Sequence, residues 1–225
     1  MKTADPNTDT LLEQLVNSPK LVLYFQEIQN LLESERIKRE QFYQILAEHD
    51  RAEFINGEIK IRSYISEREE NAMMLLLSLL ETFVTKHRLG VLGSETTLIS
   101  LTRNDYQPDI CFFDRSKAIH FTAEQAQFPA PDFIVEILSP GAEEIDRTIK
   151  FIDYAAHGVR EYWIVDSLEE AIEQYILRDG RYQLLVRSNS GQIKSLVMTD
   201  FMIPIRAIFD SAENLNTLHH ITIAL

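Results

Sequence analysis

Pro108-Asp109-Ile110-Cys111-Phe112-Phe113 and, further on, Phe133-Ile134-Val135-Glu136-Ile137-Leu138 decide how this chain reads. Each is an apolar run of strand length, and each carries one carboxylate. Ionised Asp and Glu are almost never buried unless they are paired or hold a metal. Side chains alternate across a strand, so Asp109 shares a face with Cys111, and Glu136 with Ile134 and Leu138. If the two strands are neighbours in register, Asp109 and Glu136 converge and need a common partner. A divalent cation would serve. The bland alternatives are a capped strand end or a buried ion pair.

Downstream, a helical pattern runs from about Glu143 to His157 and stops at Gly158. On a helical wheel Asp146, Lys150, Asp153 and His157 fall on one side, and Ile145, Ile149, Ile152 and Ala156 on another. Asp146 and Lys150 are spaced i, i+4, which by periodicity alone reads as a solvated ion pair. A lysine near two carboxylates would also suit a phosphate or an activated water.

Working outward, Phe54-Ile55-Asn56-Gly57-Glu58-Ile59 is a hairpin signal, Asn-Gly between alternating apolar residues. Ser66 with Glu69 three residues on predicts a capping box and a long helix to about His87, with Gly90 as its stop. Met73, Met74 and the leucines after them read as core. Strands are predicted near 91–92, 96–101, 110–113, 133–138, 161–165, 172–177 and 182–186, the last two joined at Asp179-Gly180. Residues 201–209 fit a strand or a short helix. Residues 11–50 read as two helical pieces, with the charged run Glu33 to Glu40 as a solvated face or a joint between them. The order predicts an α+β (α/β-like) fold with a central mixed sheet flanked by helices. It divides into an N-terminal helical extension (1–50) and a main domain (51–225).

The 225 residues have 45% apolar and 25% charged composition, that of an ordinary globular protein, and a formal net charge of -13. A nucleic-acid binder usually shows a basic footprint, so any such site here must be a local basic groove or rely on bound metal. Cys111 is the single cysteine, which excludes an intramolecular disulfide and a cysteine zinc site. No apolar run is long enough to span a membrane, so a cytoplasmic protein is expected. The chain has no P-loop, Gly-x-Gly-x-x-Gly or Gly-x-Ser-x-Gly. His219-His220 lacks a ligand partner at metal-site spacing.

Residues 51–190 resemble the Uma2-type family, also called DUF820, of the PD-(D/E)XK nuclease superfamily. The resemblance rests on Asn56-Gly57-Glu58, Pro108-Asp109, Val135 to Ser139, Asp146 to Lys150 with Tyr154, and Gly158 to Asp166. It implies a restriction-endonuclease-like core and a Mg²⁺- or Mn²⁺-dependent endodeoxyribonuclease. Asp109 and Glu136 match the metal-binding carboxylates, and the backbone carbonyl of Ile137 could add a ligand. The usual superfamily lysine would stand at 138, where this chain has Leu138. In the Uma2-type family it stands on the following helix, where Lys150 matches and would orient or deprotonate the attacking water. Glu70 matches an additional acidic position, with Glu69 where the family often has histidine; a first turn favoured by the helix dipole explains both equally. The implied partner is DNA, and a homodimer is compatible with the sequence. Two rival readings stand beside this one: a catalytically silent interaction or regulatory module, and a phosphodiesterase for a smaller phosphate ester.

Overall fold

The computed structural model describes residues 6–46, 51–61, 66–139, 141 and 143–223. In chain order the elements begin with α1 (Pro6–Val16), α2 (Leu21–Leu46), β1 (Ala52–Ile55), β2 (Glu58–Ile61), α3 (Glu67–His87), β3 (Gly90–Ser94), β4 (Leu98–Ser100) and β5 (Asp105–Tyr106). Next come β6 (Ile110–Asp114), α4 (Arg115–Ala118), β7 (Gln127–Phe128) and β8 (Phe133–Ile137). A composite helix follows: α5 (Glu143–Ile145), a π-helical turn (Asp146–Lys150) and α6 (Phe151–Ala156). The chain continues with β9 (Glu161–Asp166), β10 (Ala171–Arg178), β11 (Arg181–Ser188), β12 (Gln192–Lys194), β13 (Met202–Pro204), a 3-10 turn (Ile205–Ile208) and α7 (Ser211–Ile223).

Two compact units result: Met1–Arg62 with Ser100–Tyr106, and Ser63–Ile99 with Gln107–Leu225. The boundary expected between residues 50 and 51 adjoins residues 47–50, which lie outside those described.

In the first unit the β1–β2 hairpin turns at Asn56 and Gly57, with φ of 51° and 80°, as its Asn-Gly pair demands. β5 pairs antiparallel on the other side of β1. The lower half of α2 packs here through Phe42, whose ring centroid is 5.9 Å from that of Phe54. Asp105 is fully buried, and Arg39 donates to both its oxygens at 2.5 and 2.7 Å. Glu35 pairs with Arg103 at 2.6 Å. The run Glu33 to Glu40 is no joint, because α2 continues through it. Its exposed face is laced by Arg36 with Glu33 and Glu40.

The second unit is built on a six-stranded sheet in the order β11-β10-β9-β8-β6-β3. Only β8 and β9 are parallel; the composite helix is the crossover between them. One sheet face, with Ile110, Phe112, Phe133, Val135, Trp163 and Val165, packs on α3 and the C-terminal elements. Strand periodicity puts Asp109, Cys111, Ile134, Glu136, Tyr162 and Ile164 on the other face.

The capping box at Ser66 and Glu69 forms as predicted. The stop of α3 does not lie at Gly90. Arg88 takes the left-handed conformation, with φ of 53°, and Gly90 is already in β3. A Cβ at Gly90 would come within 2.0 Å of the Phe113 carbonyl oxygen, so close strand approach is what requires glycine there. Met73 is core, whereas Met74 is 55% exposed. Residues 201–209 supply a strand and then a 3-10 turn. α7 had no counterpart in the sequence reading.

Candidate active site

Asp109 immediately precedes β6, and Glu136 lies in β8. These strands pair antiparallel with Ile110 opposite Val135 and Cys111 opposite Ile134. One step further along this register, Asp109 stands opposite Glu136 on the same face. Neighbouring strands bring such pairs to about 5 Å between Cβ atoms. Asp109 Oδ2 accepts the Ile137 backbone N–H at 2.6 Å, which ties its carboxylate to the strand carrying Glu136. Both acids are buried, Asp109 at 3% and Glu136 at 0% exposure.

The composite helix carries the third member. Lys150 Nζ lies 3.0 Å from Glu136 Oε1 and 3.0 Å from Asp146 Oδ1. The i, i+4 pair expected between Asp146 and Lys150 therefore exists, but it is not solvated: both side chains are 0% exposed. The polar stripe of the helix faces inward, and Ile152, on the apolar stripe, is 69% exposed. Burying this stripe carries a large desolvation cost, which pairing only partly offsets. The five residues Asp146–Lys150 form the π turn, a rare wide turn that recurs at functional sites.

Tyr154, one turn beyond Lys150, donates its hydroxyl to Glu136 Oε1 at 2.9 Å. Tyr162 of β9 donates to the Asp146 backbone carbonyl at 3.2 Å. Burial raises the Tyr162 phenol well above its ordinary range, and the charges of Asp146, Glu136 and Asp109 raise it further. It therefore stays a neutral donor. The Cys111 thiol is also pushed up, by burial first and by the Glu136 charge as well, which removes it as a thiolate nucleophile.

Across the sheet the row continues from Glu136 to Ile164, Glu173 and Arg187, each opposite the next. Arg147, on the composite helix, bridges to Glu173 at 2.8 and 3.1 Å. Burial alone would raise the Glu173 carboxyl, but the hydrogen bonds from Arg147 and Tyr175 outweigh it and hold the group below its ordinary value. A cleft of about 340 Å³ opens along this part of the row, lined by Arg147, Asp166, Glu169, Glu173 and Arg187 among others.

The structure thus joins Asp109, Glu136 and Lys150 through the strand register and direct hydrogen bonds. Glu70 is exposed on the first turn of α3, outside this bonded cluster. His219 and His220 are exposed on α7. Two further participants have no role assigned by sequence alone. Asp146 reads there only as a surface partner of Lys150, with their spacing as the visible signal, and Tyr154 carries no task. Among the described residues no group of three or more His, Cys, Asp or Glu is disposed as a metal cluster. No described helix is long and apolar enough to cross a membrane.

A family model, "Uma2: Putative restriction endonuclease", matches residues 39–204. Curated proteins offer no match. A solved structure from Anabaena variabilis ATCC 29413, described as "a putative nuclease belonging to DUF820", superposes with a TM-score of 0.62 at 19% identity, over 72% of this chain and 90% of that one. At that identity the likeness speaks for the fold, a mixed α/β architecture with helices flanking the sheet.

Proposed function

The chain belongs to the Uma2 family, and on that premise we propose that it is a metal-dependent endonuclease hydrolysing DNA phosphodiester bonds. Asp109, Glu136 and Lys150 would be its catalytic residues. The observation that carries this reading is the placement of Asp109 beside Glu136 on one sheet face, with the buried Lys150 ammonium against Glu136.

The donor set suits a hard divalent cation. The carboxylates of Asp109 and Glu136 and the backbone carbonyl of Ile137 are all oxygen ligands. Mg²⁺ characteristically takes one or two carboxylates and fills its remaining positions with water and substrate phosphate. Among the described residues three buried carboxylates, Asp109, Glu136 and Asp146, gather where the Lys150 ammonium pairs with two of them, so an added cation would relieve their repulsion. When bound, Mg²⁺ or Mn²⁺ would neutralise phosphate charge and acidify water.

The chain's own groups would do the rest. Lys150, charged between two carboxylates, would orient the attacking water and oppose the charge growing on the phosphate. Tyr154 would fix the Glu136 carboxylate through its hydroxyl. Arg147 and Arg187, further along the row, would meet flanking phosphates as the local basic groove. One observation favours a smaller phosphodiester instead: the cleft also presents Asp166, Glu169 and Glu173, in a chain of net charge -13.

The deciding experiment incubates the chain with Mn²⁺ or Mg²⁺ and plasmid, single-stranded DNA or bis(p-nitrophenyl) phosphate. Calorimetric titration of Mn²⁺ runs beside it. We expect metal-dependent DNA cleavage that Glu136→Gln abolishes together with metal binding. Cleavage of the small diester alone would favour the second reading. Turnover of none of the three, with no Mn²⁺ bound, would leave a nuclease-like module without catalysis.

A further inference from the structure

Twelve of the twenty-four exposed large apolar side chains among the described residues fall between Leu11 and Ile37. Helices that are apolar on every side are normally buried. The stretch Leu21 to Leu32 has one charged residue, Glu27, and Val22, Phe25 and Leu31 are 66%, 56% and 51% exposed.

The pattern within α2 says what belongs against it. Leu21, Phe25, Ile28, Leu32, Glu35, Arg39 and Phe42 follow a strict alternation of four and three, the seam of a coiled coil. The lower part of this seam is occupied within its own unit: Phe42 packs on Phe54, Arg39 pairs with Asp105, and Glu35 pairs with Arg103. The upper part, Leu21 to Leu32, continues the same seam and is 40–56% exposed at its four positions.

We infer that this upper seam is the contact between two copies of the chain, paired antiparallel about a twofold axis between residues 26 and 27. The spacing 21, 25, 28, 32 reads the same in both directions. An antiparallel copy therefore sets Leu21 against Leu32 and Phe25 against Ile28, each twice, as an isologous interface requires. At the flanks of the seam like positions meet, so Leu31 lies near Tyr24 of the second copy and Val22 near its Gln29. Exposed apolar area is of the right order: at ~50–100 Å² per side chain, Leu21, Val22, Tyr24, Phe25, Ile28, Leu31 and Leu32 present roughly 350–700 Å² per copy, against about 800 Å² per partner in a standard interface. Charge supports it too. Residues 10–32 contain Glu13, Lys20 and Glu27 alone, so two copies of a chain at -13 can approach here with little repulsion. A lipid surface is the poorer occupant, because helices that lie on membranes carry a Lys/Arg-rich polar face. This inference does not depend on the nuclease reading.

Sedimentation equilibrium of the full chain tests it, with Phe25→Glu/Ile28→Glu as the variant. Both positions are exposed, so the variant should keep its helical circular dichroism. We expect twice the 26.1 kDa chain mass for the parent. The variant should be monomeric, with association weakened on the order of 100-fold or more. Register is tested by mixing Phe25→Cys with Ile28→Cys, the native Cys111 being buried. The mixed disulfide should form faster than either homodisulfide. A monomeric parent at tens of micromolar would overturn the inference. So would a variant that still dimerises, equal rates for the three disulfides, or a parent that stays monomeric while binding neutral phosphatidylcholine vesicles.

Discussion

Glu136 and Glu161 stand in neighbouring strands, both fully buried, on opposite faces of one sheet. Glu161 accepts five hydrogen bonds from neutral donors: Trp163 Nε1 (2.7 Å), Gln174 Nε2 (2.6 Å), Ser195 Oγ (2.9 Å) and the backbone N–H groups of Leu196 and Val197 (2.8 and 2.9 Å). Glu136 instead meets an ammonium and a phenol in the company of Asp109 and Asp146. The first arrangement spreads one charge over dipoles and locks the segment after β12 onto β9. The second concentrates like charges around one cation. Burial of a carboxylate therefore says little by itself; the chemistry of its partners separates a structural acid from one able to take up an ion.

The largest expected effect breaks the Glu161 side. Glu161→Ala removes the shared acceptor of five donors; Gln174 Nε2 keeps the Lys194 carbonyl and the Val197 N–H keeps Ser195 Oγ, while the other three lose this partner, and each unsatisfied buried polar group costs ~1–3 kcal/mol. We expect a loss of at least about 4 kcal/mol in urea-monitored stability. A loss below about 1 kcal/mol would erase the distinction. Lys150→Met comes next. The buried setting replaces the expectation of a neutral surface change, because removing the ammonium leaves Glu136 and Asp146 buried without it, a loss of about 3–5 kcal/mol. Any cleavage activity should fall ~10²–10⁴-fold, and Mn²⁺ should restore part of the melting temperature. A variant as active as its parent would remove Lys150 from the site. Glu136→Gln sharpens the contrast from the other direction. It relieves repulsion and leaves Lys150 with Asp146, so stability should stay within ~1 kcal/mol of the parent.

The smallest effect is acid-dependent. Glu173 holds its proton less firmly folded than unfolded, so it adds stability above its ordinary value of 4.5 and withdraws it as pH falls through the lower folded value. Glu173→Gln should therefore flatten the acid limb of the stability profile below about pH 4.5. An unchanged limb would show that the Arg147 bridge contributes nothing to it.

Much of this was legible in the residues. A charge inside an apolar strand flagged Asp109 and Glu136, and the capping box placed α3. The same rule would have flagged Glu161 with equal force, since Glu161-Tyr162-Trp163-Ile164-Val165 is also an apolar strand. Its donors come from Gln174 and residues 195–197, which no local pattern connects to it. Lys150 looked superficial because a helical wheel assumes that a polar stripe faces water. The sheet beneath offers Glu136 and Tyr162, and the stripe turns inward. α7 escaped notice because its sequence, with Asn214, Asn216 and two histidines, has a weak apolar period.

The π turn also changes which kind of sequence change matters most in the crossover. A π turn is an α-helix that has absorbed one extra residue, so length sets the phase of everything after it. Thr148, exposed on the turn, can be exchanged for another residue at little expense. Its deletion is different in kind. It would return the segment to regular α-helix and leave Arg147 and Lys150 two residues apart, about 200° around the axis, where three residues of the wider turn now separate them. Arg147 and Lys150, which now reach carboxylates on two different strands, could no longer both do so. In this segment the count of residues is a stricter specification than their identity.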